Sequence, residues 1–446
     1  MSQLNADTIV AISTAQGRGA IGVIRISGIL SKTIAVEILG KVPESKVANY
    51  SNFLDINGSI LDKGIAIFFP TPHSYTGEDI LELQGHGGIA IQKILIDRCL
   101  TLGARLAEPG EFTLRAFLNN KLDLVQAEGI ADLIEANTTE AARSSIRSLT
   151  GEFSLQIRSL LNDLINLRVL VESILDFPEE DLDQINTQHL LFLLNNLQQC
   201  LQRVLDQSKQ GSLLREGAHI AIAGQTNVGK SSLLNRIAGD DIALVSDIHG
   251  TTRDVIKQDI QIKGVTLHFF DTAGLRNTDD PIELMGIQRA KQMISKSDLV
   301  LLIIDASLGL MINDVDILQN IPDGIPRLIV HNKSDLISLE QSKSSDDNHV
   351  FVSAKTGAGV DHLLNVILKL VGWRDLESGC FMARERHLIA LEQARKHFEN
   401  ASNVICNIEF FAEELRSSQQ ALNQITGEYT SDDLLGEIFI KFCIGK

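Results

Sequence analysis

Apolar and polar positions along the chain fall into three textures. From Asp7 to about Leu106, short β-branched runs (TIVAIS, IGVIRIS, GIAIFF, DILELQG) alternate with glycine-bearing turns. That alternation predicts strands, and two helices are expected near residues 31–39 and 89–102, which together make an α+β domain. In DILELQ the two-residue period puts Leu81 and Leu83 on one face and Glu82 and Gln84 on the other. From about Gly110 to Leu214 leucines recur at helical spacing, as in FSLQIRSLLNDLINLRVLVESIL, until Phe177-Pro178 breaks the run ahead of HLLFLLNNLQQCLQRVLDQ. The stripes at 153–175 and 189–205 read as the core of a helical bundle rather than a coiled-coil partner surface.

At Ala218 the texture changes to strand, glycine loop and helix: HIAIAGQTNVGKSSLLNRIAG, VTLHFFDTAG, DLVLLIIDAS and PRLIVHNKSD. Near-continuous apolar strands followed by helices predict a parallel sheet covered on both faces. The unit ends near Gly372, and residues 384–416 return to helical spacing through Leu388, Leu391, Ala394 and Phe398. The expected fold class is therefore α/β and α+β multidomain, with a helical domain interrupted by an inserted α/β domain.

Composition narrows the partners. A chain of 446 residues with 44% hydrophobic positions is long enough for two to four ordered domains. Its 40 Lys+Arg against 57 Asp+Glu give a net charge of −17, which argues against binding nucleic acid through a broad basic surface. Residues 1–121 carry eleven of each sign, so the deficit lies entirely in the remainder. Cys99, Cys200, Cys380, Cys406 and Cys443 include no CxxC pair, which disfavours a disulfide framework or a zinc ribbon and points to a reducing cytoplasm. Neither a basic signal-like start nor a run of ~20 uncharged apolar residues occurs, so export and membrane insertion are not expected. His73 and His86 lack metal-ligand spacing and are expected in loops.

The chemistry concentrates in the α/β segment. Gly224-Gln225-Thr226-Asn227-Val228-Gly229-Lys230-Ser231 fits GxxxxGK[ST] between a strand and the helix opening at Ser231-Ser232. Its glycines let amides turn inward around phosphates while the helix N-terminus adds partial positive charge. Lys230 is placed to reach the β- and γ-phosphates and the Ser231 hydroxyl to ligate Mg²⁺. Asp271-Thr272-Ala273-Gly274 follows the strand VTLHFF, where the carboxylate can hold the magnesium shell and the Gly274 N–H can meet the γ-phosphate. Asn332-Lys333-Ser334-Asp335 supplies base choice. A carboxylate at Asp335 can accept from N1–H and the exocyclic amine of guanine, whereas adenine would leave it unpaired at a cost of ~1–3 kcal/mol. Ser353-Ala354-Lys355 fits a backbone N–H contact to the guanine oxygen.

Together these strings resemble the TRAFAC GTPases, and residues 216–372 are similar to the G domain of the MnmE (TrmE) tRNA modification GTPase family. GRG, LELQGHGG and PGEFTLRAFLNNKLDL near the start and Phe442-Cys443-Ile444-Gly445-Lys446 at the end match that family too. The resemblance implies a Ras-like P-loop G domain and a folate-binding-like N-terminal domain, divided as 1–120 (α+β, dimerisation), 121–215 (helical), 216–372 (G domain) and 373–446 (helical). It also implies a cytoplasmic homodimer. With an FAD-dependent partner of the MnmG (GidA) type, in a heterotetramer or larger, it would add an aminomethyl or carboxymethylaminomethyl group at C5 of the wobble uridine of tRNA. The rival reading is a regulatory GTPase switch in ribosome assembly without one-carbon chemistry. A P-loop ATPase motor is disfavoured by Asn332-Lys333-Ser334-Asp335.

Residue roles follow from the same resemblance. Leu275 follows DTAG where Ras-like enzymes carry a water-orienting glutamine, so hydrolysis needs another group, which the family places at Glu283. A solvated glutamate at a helix start is the plainer reading of that residue. The GTP-binding set includes the loop Ser246, Asp247, Ile248, His249, Gly250, Thr251 and Thr252. K⁺ would be held by Asn227, Ser246, Ile248 and Thr251, and Mg²⁺ by Ser231 and Thr252, although Asn227 also suits a simple turn. A formyl- or methylene-tetrahydrofolate would lie against Arg25, Glu82, Lys121 and Lys446, where cations suit a glutamyl tail and Glu82 suits a pterin edge. Cys443 is either a nucleophile of the modification chemistry or a small apolar filler.

Overall fold

The computed structural model describes residues 7–15, 17–176, 187–239, 257–271, 293–338, 348–374, 380–427 and 445. Two compact units emerge: Met1–Ala131 with Leu149–Leu191 and Lys396–Lys446, and Asp132–Ser148 with Phe192–Arg395.

The first unit is built on the strands β1 (Ile9–Ile12), β2 (Ile21–Ser27), β3 (Asn49–Leu54), β4 (Ile60–Phe69), β5 (Ile80–His86) and β6 (Arg105–Leu106). They form one sheet in the order β3-β4-β5-β2-β1-β6, antiparallel except where β6 joins β1. Helices α1 (Ser31–Leu39) and α2 (Ile89–Thr101), at the expected positions, bury Ile34, Ile38, Leu95 and Cys99 against Ile24, Ile26, Leu81 and Leu83. Burial pushes the Cys99 thiol up to about 12, so it stays protonated and inert. Leu81 and Leu83 face this core while Glu82 and Gln84 face away, as the period of two requires. His86 does not lie in a loop. It closes β5, where its Nδ1 is 2.6 Å from Asp62 Oδ1 and its amide donates to Asp62 Oδ2 at 2.8 Å. The strand runs one residue further than turn chemistry suggests because ladder pairing with Ile21 continues to His86.

Helices follow: α3 (Glu111–Leu118), α4 (Leu124–Glu135), α5 (Thr139–Leu149), α6 (Glu152–Asp176) and α7 (Thr187–Glu216), then, after the second sheet, α11 (Glu385–Val404) and α12 (Ile408–Thr426). In α6 the buried positions Phe153, Ile157, Leu160, Leu164, Leu167 and Val171 recur at helical spacing, so the leucine stripe is core. The insertion of the α/β segment is visible in the pairing across it. Asp132 Oδ1 accepts from Arg215 Nε and from Arg384 Nη2, each at 2.9 Å, and Ser148 Oγ donates to the carbonyl of Met382 at 3.1 Å. The chain thus leaves the helical block after Glu216 and returns to it by Arg384.

Between those points the strands β7 (Ala218–Ala223), β8 (Lys257–Ile262), β9 (Val265–Asp271), β10 (Leu299–Asp305), β11 (Arg327–Asn332) and β12 (His349–Phe351) form a second sheet, ordered β12-β11-β10-β7-β9-β8. All neighbours are parallel except the β8–β9 hairpin. Helices α8 (Lys230–Gly239), α9 (Ile312–Gln319) and α10 (Val360–Leu370) accompany it. All seven residues of β10 are buried because alternate side chains enter opposite layers. Leu299, Leu301 and Ile303 join the layer of α8 and α10, and Val300, Leu302 and Ile304 the layer of Ile321 and Ile329. Among the described residues no helix is long and apolar enough to cross a membrane.

Candidate nucleotide site

The loop between β7 and α8 is held by steric necessity. Gly224 has φ +140, and a Cβ there would sit 2.2 Å from the carbonyl oxygen of Ile303 on β10. Gly229 has φ +92, with a Cβ position 2.4 Å from Asn332 Nδ2. Asn227, φ +65, is a non-glycine in the left-handed region, a conformation asparagine tolerates better than most residues. Lys230 Nζ donates to the carbonyls of Gly224 and Gln225 at 2.8 and 2.9 Å, which holds the ammonium across the loop. Ser231 and Ser232 are exposed on the first turn of α8, where the amides and partial positive charge of a helix start favour an anion.

The base-selecting segments approach the same loop from β11 and β12. Asn332, only 1% exposed, donates from Nδ2 to the carbonyl of Val228 at 2.9 Å and accepts at Oδ1 from the Ala354 amide at 3.0 Å. One side chain therefore ties the phosphate loop to the segment after β12. Asp335 is exposed, and Ser353 Oγ donates to its Oδ1 at 2.6 Å. That hydrogen bond holds its carboxyl below the ordinary aspartate value, so it stands ionised as a hydrogen-bond acceptor. Ser353 is fully buried and Lys355 exposed, so of this trio the serine positions the aspartate. Because the Ala354 amide is taken by Asn332, it does not point freely towards a base.

Two participants escaped the motif reading. Asp305 lies at the end of β10 in register with Asn332, and its Oδ2 meets Lys333 Nζ at 2.7 Å. Burial alone would raise its pKa, but hydrogen bonds from Lys333 and Ser307 outweigh that and hold it low. Asp314 accepts from Gln225 Nε2 at 3.2 Å, which fastens the phosphate loop to α9. The only sequence signal was an acid at the C-terminal end of an apolar strand, as in DTAG; for Asp314 there was none.

Asp271 closes β9, in register with Ile222 of β7, which puts its backbone at the strand end next to the phosphate loop. Ser246, Asp247, Ile248, His249, Gly250, Thr251, Thr252, Thr272, Ala273, Gly274, Glu283, Cys443 and Lys446 lie outside the described residues.

A second grouping sits on the first sheet. Arg25 and Glu82 are register partners on β2 and β5, and Arg25 Nε and Nη2 both lie 2.9 Å from Glu82 Oε1. The guanidinium lies 5.4 Å from the ring centre of Tyr75 and 5.8 Å from that of Phe112. Among the described residues Glu82 Oε2 is approached by Gln84 Nε2 at 3.5 Å, a long contact that leaves this oxygen capacity to accept. Gly445 reaches the neighbouring strand: Ser13 Oγ donates to its carbonyl at 3.1 Å, and its own Cβ position, at φ +98, would lie 2.2 Å from the carbonyl oxygen of Ile12. Ile12 pairs with Ile24 of β2, so Gly445 lies at the end of β1 in the sheet that carries Arg25 and Glu82. Lys121 is exposed, with Nζ 2.9 Å from the carbonyl of Pro72.

Comparison with known proteins decides the family. The model of the MnmE helical domain matches residues 124–443, and that of the GTP-binding protein TrmE N-terminus matches residues 8–121. The chain belongs to the MnmE tRNA modification GTPase family. It is 54% identical to the tRNA modification GTPase MnmE of Nitrosomonas eutropha over 99% of this chain and 100% of that one. To the tRNA modification GTPase MnmE of Nitrosospira multiformis it is 52% identical, covering 99% of each. A solved structure of an Aquifex aeolicus Era variant bound to GDP.AlF4- is 28% identical over 40% of this chain and 66% of that chain, at a TM-score of 0.30, too low to carry an argument. The family match and the strand–loop–helix geometry agree on a GTPase with an inserted P-loop G domain.

Proposed function

We propose that this GTPase acts in tRNA wobble-uridine modification, with GTP on the β7–α8 loop and a reduced folate against Arg25 and Glu82. The observation that carries the reading is the Asn332 clamp beside the Ser353-held Asp335. It fixes a phosphate loop and an ionised acceptor in one frame, as a guanine nucleotide requires. Gly224, Val228, Gly229, Lys230, Ser231 and Ser232 surround the phosphates, and Lys333, Asp335 and the 353–355 segment take the base. Ser231 and Thr252 would hold Mg²⁺, which would supply positive charge against the phosphates. The exposed Ser231 hydroxyl and the loop-side strand end of Asp271 suit that shell. K⁺ falls to Asn227 with Ser246, Ile248 and Thr251, and the exposed left-handed position of Asn227 is compatible with a side-chain carbonyl turned to a cation. Glu283 orients the attacking water.

For the one-carbon donor, Glu82 Oε2 offers an acceptor to a pterin edge and Arg25 a cation to a carboxylate, with Lys121 and Lys446 further contributors. The folate would supply the one-carbon unit, and this chain's residues bind and orient it. Cys443, two positions before Gly445 in the sequence, would serve the modification chemistry. The protein is a cytoplasmic homodimer divided as 1–120, 121–215, 216–372 and 373–446. Its partner is FAD-dependent, of the MnmG type, and their joint product is the aminomethyl-class group at C5 of uridine 34.

Mass spectrometry of wobble nucleosides in tRNA from a strain lacking the gene tests the reading. Loss of the C5 substituent is expected, and unchanged nucleosides would favour a regulatory switch in ribosome assembly. GTP turnover faster in K⁺ than in Na⁺ is expected for the cation site, and equal rates would reject it.

A further inference from the structure

The geometry points to a phosphate-backbone contact of tRNA in a cleft between α5, the β8–β9 turn and the segment that follows α10. This inference rests on the family's action on tRNA and adds a place on the molecule where the RNA lies. The cleft, about 770 Å³, is lined by Glu140, Arg143 and Arg147 of α5, by Lys263, and by Trp373 and Arg374 among others. Four cations thus face one carboxylate among its described lining residues, in a chain whose net charge is −17. Arg143, Lys263 and Arg374 are exposed.

The walls are built and not accidental. Lys263 has φ +50 and Gly264 φ +83, so the two residues form a tight turn between β8 and β9. That turn presses on α5, since a Cβ on Gly264 would fall 2.6 Å from Glu140 Cβ. On the other side Gln210 of α7, 7% exposed, holds the chain after α10 by both ends of its amide. Nε2 donates to the carbonyl of Gly372 at 2.7 Å, and Oε1 accepts from the Arg374 amide at 2.8 Å. The backbone of Trp373 and Arg374 is thereby fixed at the rim, with the tryptophan packed on the core of the second sheet. A rigid, cationic, aromatic-walled cleft matches a nucleic-acid backbone, where cations release condensed counterions and an aromatic ring tolerates any base.

The test is tRNA binding by the full-length chain, read as fluorescence anisotropy of labelled tRNA between 50 and 300 mM KCl. Replacing Arg143, Lys263 and Arg374 together by Gln should weaken binding about 10-fold or more at 0.1 M salt. It should also make the log–log salt slope shallower by about two to three, since each phosphate contact contributes ~0.7–0.9. GTP hydrolysis without tRNA should be unchanged. Unchanged affinity and slope would overturn the surface while leaving the modification reading intact, as would loss of the FAD-dependent partner with tRNA binding preserved. No tRNA binding by the unaltered chain would overturn direct contact altogether. Should the triple variant fail to fold, Glu140→Gln removes the opposing carboxylate: about threefold tighter binding is expected, and no tightening would overturn the proposal.

Discussion

Asn332 offers the sharpest perturbation, because its two amide atoms do different work. Asn332→Asp keeps the size and the acceptor for the Ala354 amide but replaces the donor to the Val228 carbonyl by an oxygen 2.9 Å from it. Loss of the hydrogen bond costs about 1 kcal/mol, and a buried carboxylate facing a carbonyl adds ~1–3 kcal/mol, more if fully ionised. A total of about 3 kcal/mol, if expressed through the phosphate loop, corresponds to roughly 150-fold in nucleotide affinity. The sign with pH follows. The new carboxyl's folded pKa is raised above ~3.9, so the penalty is absent below that value, grows as pH rises, and is complete above the raised pKa. Fluorescent-GDP titration at pH 8 and pH 5.5 should show a large loss at the higher pH and partial recovery at the lower. A dissociation constant within threefold of wild type at pH 8 would refute the clamp.

Three further outcomes are expected. Arg25→Ala removes the partner of a part-buried carboxylate. Calorimetry should find reduced-folate binding lost by about tenfold or more with GTP affinity unchanged, and intact folate binding would exclude this pocket. Gly445→Ala places a Cβ against the Ile12 carbonyl at a positive φ, so the chain end must shift. Modification of tRNA should fall severalfold at an unaltered GTPase rate, and full modification would show that the chain end's position does not matter. Burial, with the neighbouring His349 imidazole 2.9 Å away, pushes His331 down to about 4. Its unfolded value is ~6.5, so the unfolded chain binds the extra proton between these limits and stability should decline as pH falls from 6.5 to 4. After discounting for partial exposure the effect is about 1–2 kcal/mol, and His331→Phe should flatten the urea midpoint across that window; an unchanged slope would remove His331 as its source.

Local regularity made much of the fold legible. The period of two in DILELQ, the helical spacing of FSLQIRSLL and the strand–glycine–helix unit around Gly224 are short-range consequences of side-chain direction and backbone sterics. The elements they predict appear where expected. His86 was misread because glycines on both sides suggest a turn, whereas ladder pairing across β2, a nonlocal matter, carries the strand through it.

The sequence by itself determined the nucleotide loop, because GxxxxGK[ST] needs only its own glycines and the helix it opens. It also determined the alternation of faces and the interruption of the helical texture. Tertiary structure alone decided which distant groups complete the sites. Asp305 meets Lys333 because β10 and β11 lie in parallel register, Asn332 ties Val228 to Ala354, and Gly445 meets Ser13 at the end of β1. Sequence spacing carries no information about such meetings. They are set by strand order and packing, which bring together residues up to 432 positions apart.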